Sequence, residues 1–247
     1  MGAAQLPLGL RLRDASVFAS YFGGRNQAVV DALRAMSDAT SGATRAPTCI
    51  WVHGVSGTGK THLLQALCAD AQLRRAAYVP LREAARYDDE LLSGYGQFAL
   101  VCLDDAEAIA GRPAWEQALF RLHQELDEQG GQLVVSGAAP ASKLGFKLRD
   151  LASRLNGGLV LTLHALDEAE QIEALRLRAQ LRGFELPEDT AQFLLRRIPR
   201  TMAKLCAFLD ELDEASLVAQ RRLTIPFVKQ VLERADTQSA ARTTRKQ

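Results

Sequence analysis

The segment HGVSGTGKTHLL (53–64) contains a complete phosphate-binding motif, in which Gly54 is followed by four residues and then by Gly59, Lys60 and Thr61. In such a loop, backbone N–H groups face the phosphates of a nucleotide, and glycine lets the chain approach them closely. Lys60 is expected to reach the β- and γ-phosphates, and Thr61 to bind Mg²⁺. The predicted nucleotide-binding residues are Gly54, Gly57, Thr58, Gly59, Lys60, Thr61 and His62.

A second chemical pattern is the pair of aspartates that ends FALVCLDD (98–105). An apolar strand that ends in a carboxylate supplies the metal side of many phosphoryl-transfer sites. We expect Asp104 to orient the water shell of Mg²⁺. Asp105 stands where a water-activating carboxylate would stand, one methylene shorter than a glutamate. The alternative is an acidic turn after a strand, with no catalytic role.

The elements that must position these motifs are predicted to form an α/β unit. Short apolar runs rich in β-branched residues alternate with longer amphipathic stretches, which predicts strands separated by helices. Because each parallel crossover needs a connecting element, the pattern favours a parallel sheet covered on both faces. The predicted strands are TCIWVH (48–53), AAYVPL (76–81), FALVCLDD (98–105), QLVVSG (132–137) and LVLTL (159–163).

From Asp167 onward the strand pattern ends and the sequence predicts a small all-helical unit. DEAEQIEALRLRAQLRG (167–183) begins with an acidic capping sequence and ends at a glycine. Pro187 marks a second helix start, and Thr224 is the expected cap of the last helix. The expected parts are an N-terminal tail (1–16), an α/β nucleotide-binding domain (17–165), a helical domain (166–235) and a flexible C-terminal tail (236–247).

Composition and charge narrow the class of protein. The 30 basic and 29 acidic residues give a net charge of +1, so the chain has no overall field to hold a nucleic acid backbone. The four cysteines lie far apart in apolar stretches, which fits reduced core thiols better than a disulfide framework or a metal site. No window reaches the roughly 18 apolar residues of a membrane span. We therefore expect a cytoplasmic protein without strong direct DNA binding.

Several stretches together resemble the DnaA family of AAA+ ATPases, over about residues 5–235. They are FASYFGG (18–24), LDDAEAIAG (103–111), LRDLASRL (148–155), LRAQLRGFELPED (177–189) and RRLTIPFVKQVL (221–232). The resemblance implies a three-layer P-loop AAA+ domain with a five-stranded parallel sheet, followed by a small all-helical lid. Within the family, LRGFELPED (181–189) and the single short helical domain are similar to the regulatory inactivators, whereas DnaA itself carries a further basic DNA-binding domain.

The resemblance also implies a function. It is negative regulation of replication initiation by a protein that binds ADP or ATP with Mg²⁺ and stimulates hydrolysis of DnaA-bound ATP in trans. Arg154 in LASRL (151–155) matches the family's arginine finger, which reaches the nucleotide of a neighbouring subunit. Such an arginine contributes about 10³ to 10⁵ in rate. DnaA is therefore an expected partner, and a homo-oligomer is a further possibility.

A second partner is implied by QLPLGL (5–10), which resembles the family's binding peptide for the sliding clamp, the β subunit of DNA polymerase III. The expected docking residues are Gln5, Leu6, Leu8 and Leu10. Pro7 favours an extended segment and lowers the cost of ordering it. Gly9 departs from the more usual proline and weakens that preorganisation.

Two positions depart from the family's pattern. Ala138 occupies the sensor position after the fourth strand, and Ala203 occupies the position of the lid-helix arginine. Both sensors normally contact the γ-phosphate, so we expect nucleotide to be bound well and hydrolysed slowly. One alternative is an autonomous AAA+ ATPase of initiator or helicase-loader type, which the motifs support and the two alanines oppose. A DNA-binding regulator is opposed by the net charge.

Overall fold

The computed structural model describes residues 16–37, 47–71, 75–198, 201–219 and 225–233. The chain divides into two compact units. The first comprises the residues up to 21, 28–55 and 59–163. The second comprises 22–27, 56–58 and the residues from 164 onward.

The first unit is built on a parallel sheet. Its strands are β1 (Cys49–His53), β2 (Ala76–Pro80), β3 (Leu100–Asp104), β4 (Gln132–Gly137) and β5 (Leu159–Thr162). They pair in the order β2-β3-β4-β1-β5, and every pair is parallel. The predicted five-stranded parallel sheet is therefore confirmed, with strand bounds that differ from the predicted ones by at most two residues.

Helices cover both faces of this sheet. They are α1 (Gln27–Ser37), α2 (Lys60–Asp70), α3 (Leu81–Ala84), α4 (Pro113–Gln129) and α5 (Arg149–Gly157). Successive strand residues point to opposite faces, so Ile50 and Val52 pack with α2 while Trp51 packs with α4 and α5. The result is two buried layers, one on each side of the sheet, as the alternating pattern predicts.

The parallel topology determines where the chemical motifs lie. β4 lies between β1 and β3 in the sheet, although it follows both in sequence. Since parallel strands all end at the same edge, the loops after β1, β3 and β4 leave the sheet side by side. Ligands of open α/β sheets bind at this carboxyl edge. The glycine-rich loop follows β1, and Asp104 is the last residue of β3.

The second unit is helical. It contains α6 (Glu168–Leu181), α7 (Glu188–Arg197), α8 (Met202–Ala219) and a further helix over residues 225–233. α6 begins with a complete capping box between Asp167 and Glu170, which confirms the predicted acidic cap. Pro187 stands directly before α7, as predicted, whereas Thr224 lies outside the described residues. A separate apolar core holds these helices together through residues that include Leu175, Leu194, Leu209 and Val228.

Residues 22–27, at the start of α1, also belong to this second unit. The Asn26 side-chain amide donates to the backbone oxygen of His164 at 2.9 Å and accepts from the backbone nitrogen of the same residue at 2.8 Å. Arg25 forms an ion pair with Glu170 at 2.7 Å. These contacts attach Arg25 and Asn26 to the start of the helical unit.

The structure describes all four cysteines, of which Cys206 is half-buried. All four carry free thiols, and three of them, Cys49, Cys68 and Cys102, are buried. Burial raises the pKa of the Cys49 thiol to about 12, so the thiol stays protonated at neutral pH. Separately, none of the helices in the described part of the chain has the length and apolarity needed to cross a bilayer.

Gly158, between α5 and β5, provides a test of the pairing between β1 and β5. A Cβ atom at this position would lie 2.3 Å from the backbone oxygen of Cys49, so Gly158→Ala must push the two strands apart. We expect a loss of about 1–3 kcal/mol in the free energy of unfolding, measured by urea denaturation. Gly157→Ala is the matched control, because its Cβ would have no heavy atom within 4 Å. Equal unfolding free energies for the two variants would contradict this packing.

Candidate nucleotide-binding site

The loop between β1 and α2 has a backbone shape that requires glycine. Gly57 and Gly59 have φ angles of 86° and 91°, in the left-handed region that disfavours residues with a Cβ. A Cβ on Gly59 would also lie 2.6 Å from the ring of Tyr21. α2 begins at Lys60, directly after the loop, and no side chain caps its first turn. The free N–H groups of such a helix start attract anions.

Lys60 is the strongest electrostatic feature of this loop. The residue is only 8% exposed. Its ammonium donates to the backbone oxygen of Gly54 at 2.7 Å and to that of Val55 at 3.3 Å. Among the described residues it has no carboxylate partner within 4.0 Å. A buried cation held only by neutral carbonyls is costly, and a bound anion would compensate it.

Asp104 lies in a buried hydrogen-bond network at the end of β3. It is 2% exposed, and its Oδ2 accepts from the Tyr78 hydroxyl at 2.8 Å. Its Oδ1 accepts from the Ser136 hydroxyl on β4. Burial and the Asp104 charge together raise the pKa of Tyr78, so the phenol remains a donor. The two hydrogen bonds fix the Asp104 side chain at the carboxyl edge of the sheet.

Tyr78 and Ser136 were not predicted from the sequence as parts of the site. Ser136 is a polar residue in an otherwise apolar strand, and this is the signal that could have identified it. Its hydroxyl oxygen accepts from the backbone nitrogen of Asp105 at 3.0 Å while donating to Asp104. One serine therefore holds both aspartates of the predicted pair.

Asp105 has an unusual backbone and a charged partner. With φ 61° and ψ 54°, it is the only non-glycine residue with positive φ in the part of the chain that the structure describes. Its Oδ2 accepts from Arg82 Nε at 3.0 Å. This hydrogen bond raises the pKa of Arg82, so the cation is permanent in the working pH range. The carboxylate expected to activate water is thus held by a cation of the same unit.

Glu107 extends this charged group to the sensor position. Its carboxylate lies 3.7 Å from the Arg82 guanidinium and accepts from the backbone nitrogen of Ala138 at 3.2 Å. Ala138 follows the end of β4 and has no polar side chain to offer a ligand. The other departure from the family pattern, Ala203, lies exposed on α8 in the helical unit. Neither Arg82 nor Glu107 was predicted to belong to the site.

The remaining nucleotide-loop residues have different surroundings. Thr58 is buried, whereas Thr61 is exposed in the first turn of α2. His62 Nε2 lies 3.0 Å from the backbone oxygen of Val17, and its ring lies 5.6 Å from that of Tyr21. The imidazole therefore connects α2 to residues 17–21.

Arg154 lies on the exposed side of α5. Its guanidinium carbon is 5.0 Å from the centre of the Phe120 ring on α4. The structure gives it no ion pair within the described ranges, although Asp150 lies one turn before it. Burial and then the Arg154 charge lower the pKa of nearby His123, so this imidazole is neutral at pH 7. An exposed cation–π contact is worth about 0.5–1 kcal/mol, which leaves the guanidinium free to exchange partners.

The predicted clamp-binding residues Gln5, Leu6, Leu8 and Leu10 lie outside the described residues.

Family models match two consecutive parts of the chain. The bacterial DnaA ATPase domain matches residues 12–162, and the lid domain of Hda matches residues 167–232. Since the first match alone covers more than half of the chain, the protein belongs to the bacterial DnaA ATPase-domain family of AAA+ proteins. The helical unit is a lid of the Hda type. The resemblance inferred from the motifs is confirmed.

Solved structures share this fold. Domain III of the Thermotoga maritima replication initiation protein DnaA superposes with a TM-score of 0.73 at 20% identity, over 89% of this chain and 96% of that chain. AMPPCP-bound DnaA from Aquifex aeolicus gives 0.67 at 21% identity, over 94% of this chain and 71% of that chain. The replication initiator DnaA bound to AMPPCP and single-stranded DNA superposes with a TM-score of 0.66 at 21% identity, over 81% of this chain and 66% of that chain.

Ser136 provides a test of the buried network at the sheet edge. Ser136→Ala leaves the Asp105 N–H and one oxygen of Asp104 without their hydrogen-bond partner. We expect the free energy of unfolding to fall by about 1–3 kcal/mol. Ser153→Ala, at an exposed position of α5, is the control and should change it by less than about 0.5 kcal/mol. A loss no larger than that of the control would mean that the serine does not hold the aspartates.

Proposed function

We propose that the protein binds ADP or ATP with Mg²⁺ at the loop between β1 and α2. The observation that carries this proposal is the buried Lys60 ammonium, whose hydrogen-bond partners among the described residues are backbone carbonyls. A β- or γ-phosphate would supply the missing negative charge. The hydroxyl of Thr61 and the carboxylate of Asp104 are oxygen donors of the kind that Mg²⁺ prefers. Two DnaA proteins of the same fold hold AMPPCP, which supports an adenine nucleotide.

Within the proposed site, the chain's own residues favour holding nucleotide over hydrolysing it. Asp105 is paired with Arg82, so its carboxylate is already held by a cation of the same unit. Ala138 and Ala203 offer no charge to the γ-phosphate. Bound Mg²⁺ would neutralise phosphate charge, while Lys60 and the loop N–H groups orient the phosphates. We therefore propose slow intrinsic turnover.

The proposed catalytic contribution is Arg154, acting in trans on ATP bound to DnaA. The side chain is exposed, and among the described residues it contacts Phe120 and forms no ion pair, so it can leave this contact for a phosphate at low cost. A guanidinium placed between transferring phosphoryl oxygens stabilises the charge that develops there. The protein would in this way convert active DnaA to its ADP form and restrain replication initiation.

The proposed signal for this reaction is the sliding clamp, the β subunit of DNA polymerase III. The segment QLPLGL (5–10) lies near the N-terminus in sequence and would dock through Gln5, Leu6, Leu8 and Leu10. An extended peptide bound in a surface pocket of the clamp needs no change in the α/β unit. Clamp loaded on DNA would then bring the protein to DnaA only after replication has begun.

An autonomous ATPase is the second candidate, because Lys60 and Asp104 are both in place at the sheet edge. The two functions differ in the turnover of the isolated protein. A rate near the median enzyme value of about 10 s⁻¹ would favour the autonomous ATPase.

Lys60→Ala tests nucleotide binding. A ligand that binds only the folded state adds about 2.7 kcal/mol of stability at a hundredfold excess over Kd. We expect Mg²⁺ with ADP or ATP to raise the Tm of the unmodified protein and not that of Lys60→Ala. Lys143→Ala, which removes an exposed lysine of the same unit, should keep the shift. Equal shifts in all three proteins would rule out the proposed site.

Arg154→Ala tests the action in trans. We expect this variant to fold and to bind nucleotide and clamp, yet to lose stimulation of single-turnover hydrolysis of DnaA-bound ATP in the presence of loaded clamp. Arg154→Lys should restore little, because a point charge does not reproduce the planar guanidinium. Arg149→Ala, at an exposed position of the same helix, is the matched control. Full stimulation of DnaA-bound ATP hydrolysis by Arg154→Ala would contradict the proposed mechanism.

Replacing Gln5 and Leu6 together by Ala tests the clamp peptide. The double variant should no longer be retained by immobilised clamp, because it removes the side-chain amide and one apolar anchor. Its nucleotide-dependent Tm shift should be unchanged, since the double change leaves all the predicted nucleotide-binding residues in place. Undiminished retention on the clamp would show that the protein does not bind the clamp through this peptide.

A further inference from the structure

Glu116, in the first turn of α4, is a fully buried carboxylate for which the proposed function has no role. Its Oε1 accepts from the backbone nitrogen of Gly111 at 2.6 Å. Its Oε2 accepts from the backbone nitrogens of Lys147 at 2.8 Å and Leu148 at 2.7 Å. A buried carboxylate is costly unless it is hydrogen-bonded, and three N–H donors satisfy this one.

The three donors come from two loops that Glu116 connects. Gly111 ends the segment that follows Asp105, and its φ of 80° marks a sharp turn before α4. Lys147 and Leu148 come directly before α5. Leu148 is the N-cap residue of α5, and no side chain from its own segment caps this helix. Glu116 therefore fixes the start of α5 from outside the helix.

α4 contacts α5 a second time, one turn further along. Phe120 follows Glu116 by four residues, a spacing that places both on the same face of α4. The Phe120 ring lies under the guanidinium of Arg154. One face of α4 thus fixes both the first residues of α5 and the side chain that α5 presents.

We propose that Glu116 is a positioning residue for Arg154. It fixes α5 relative to the loop that carries Asp105, and so determines the place from which the guanidinium reaches the nucleotide of a partner. The proposal rests on the proposed role of Arg154. Glu116 itself contacts no nucleotide, and it acts through the backbone that it binds. A misplacement of about 1 Å in such a group can reduce a rate by about 10²-fold.

Glu116→Gln is the sharpest test, because the amide keeps the shape of the side chain but cannot accept at its nitrogen. Either the backbone N–H of Gly111, or those of Lys147 and Leu148, then faces the NH₂ group of the amide instead of an acceptor. The measurement is single-turnover hydrolysis of DnaA-bound ATP with loaded clamp, at increasing concentrations of the variant. We expect the maximum rate to fall at least about 10-fold, since the guanidinium is displaced. The nucleotide-dependent Tm shift and retention on the clamp should stay unchanged.

Two controls separate positioning from simple stability. Glu128→Gln removes an exposed carboxylate of the same helix and should keep the full maximum rate. Val29→Ala empties part of the core on the opposite face of the sheet, and should lower the Tm without lowering the maximum rate. Where Glu116→Gln does not fold, Glu116→Asp keeps the charge and shortens the reach, and should lower the maximum rate in the same way.

The outcomes distinguish this inference from the proposed function. A wild-type maximum rate with folded Glu116→Gln, or with Glu116→Asp in its place, would overturn the positioning role. If Arg154→Ala is inactive in the same experiment, only the role of Glu116 fails. If Arg154→Ala is fully active, the proposed function fails and the positioning role fails with it.

Discussion

The end of β4 holds the two chemical motifs of this protein together. Ser136 donates to Asp104 on one side, and the backbone oxygen of Gly137 accepts from the nitrogen of Gly54 at 3.3 Å on the other. This is possible only because the crossover places β4 between β1 and β3. The distance between the phosphate loop and the acidic strand end is therefore set by a buried strand. The candidate site depends on that constraint.

The charges around this strand end differ between the phosphate loop and the acidic pair. Lys60 is a buried cation without a carboxylate partner in the described ranges, so it favours an anion. Asp105 already has a cation, Arg82, and the neighbouring Glu107 binds the backbone at Ala138. An exposed pair such as Arg82 with Asp105 is worth less than about 1 kcal/mol. The pair therefore holds the Asp105 carboxylate weakly, which is consistent with the proposal that this protein keeps its nucleotide.

The sequence could predict what depends on local spacing. The strand ends, the glycine-rich loop between β1 and α2 and the cap of α6 each follow from a few neighbouring residues, and the structure has them where the sequence predicts them. Arg82, Glu107 and Glu116 could not be assigned in this way, because each acts on a partner about 20 to 30 residues away that the fold brings close. Glu116 in particular has the sequence pattern of an ordinary acidic residue at a helix start. Its burial becomes evident only when α4 and α5 are packed.

The central claim is that this chain keeps its own nucleotide and contributes to hydrolysis on DnaA. In the most direct measurement, DnaA and this protein are loaded with ATP carrying different labels. Hydrolysis of the two bound ATP pools is then followed in one reaction with loaded clamp. We expect rapid loss of the γ-phosphate from the ATP bound to DnaA, while the ATP bound to this protein stays intact. Hydrolysis of this protein's own pool at a matching rate, with the DnaA pool unchanged, would contradict it.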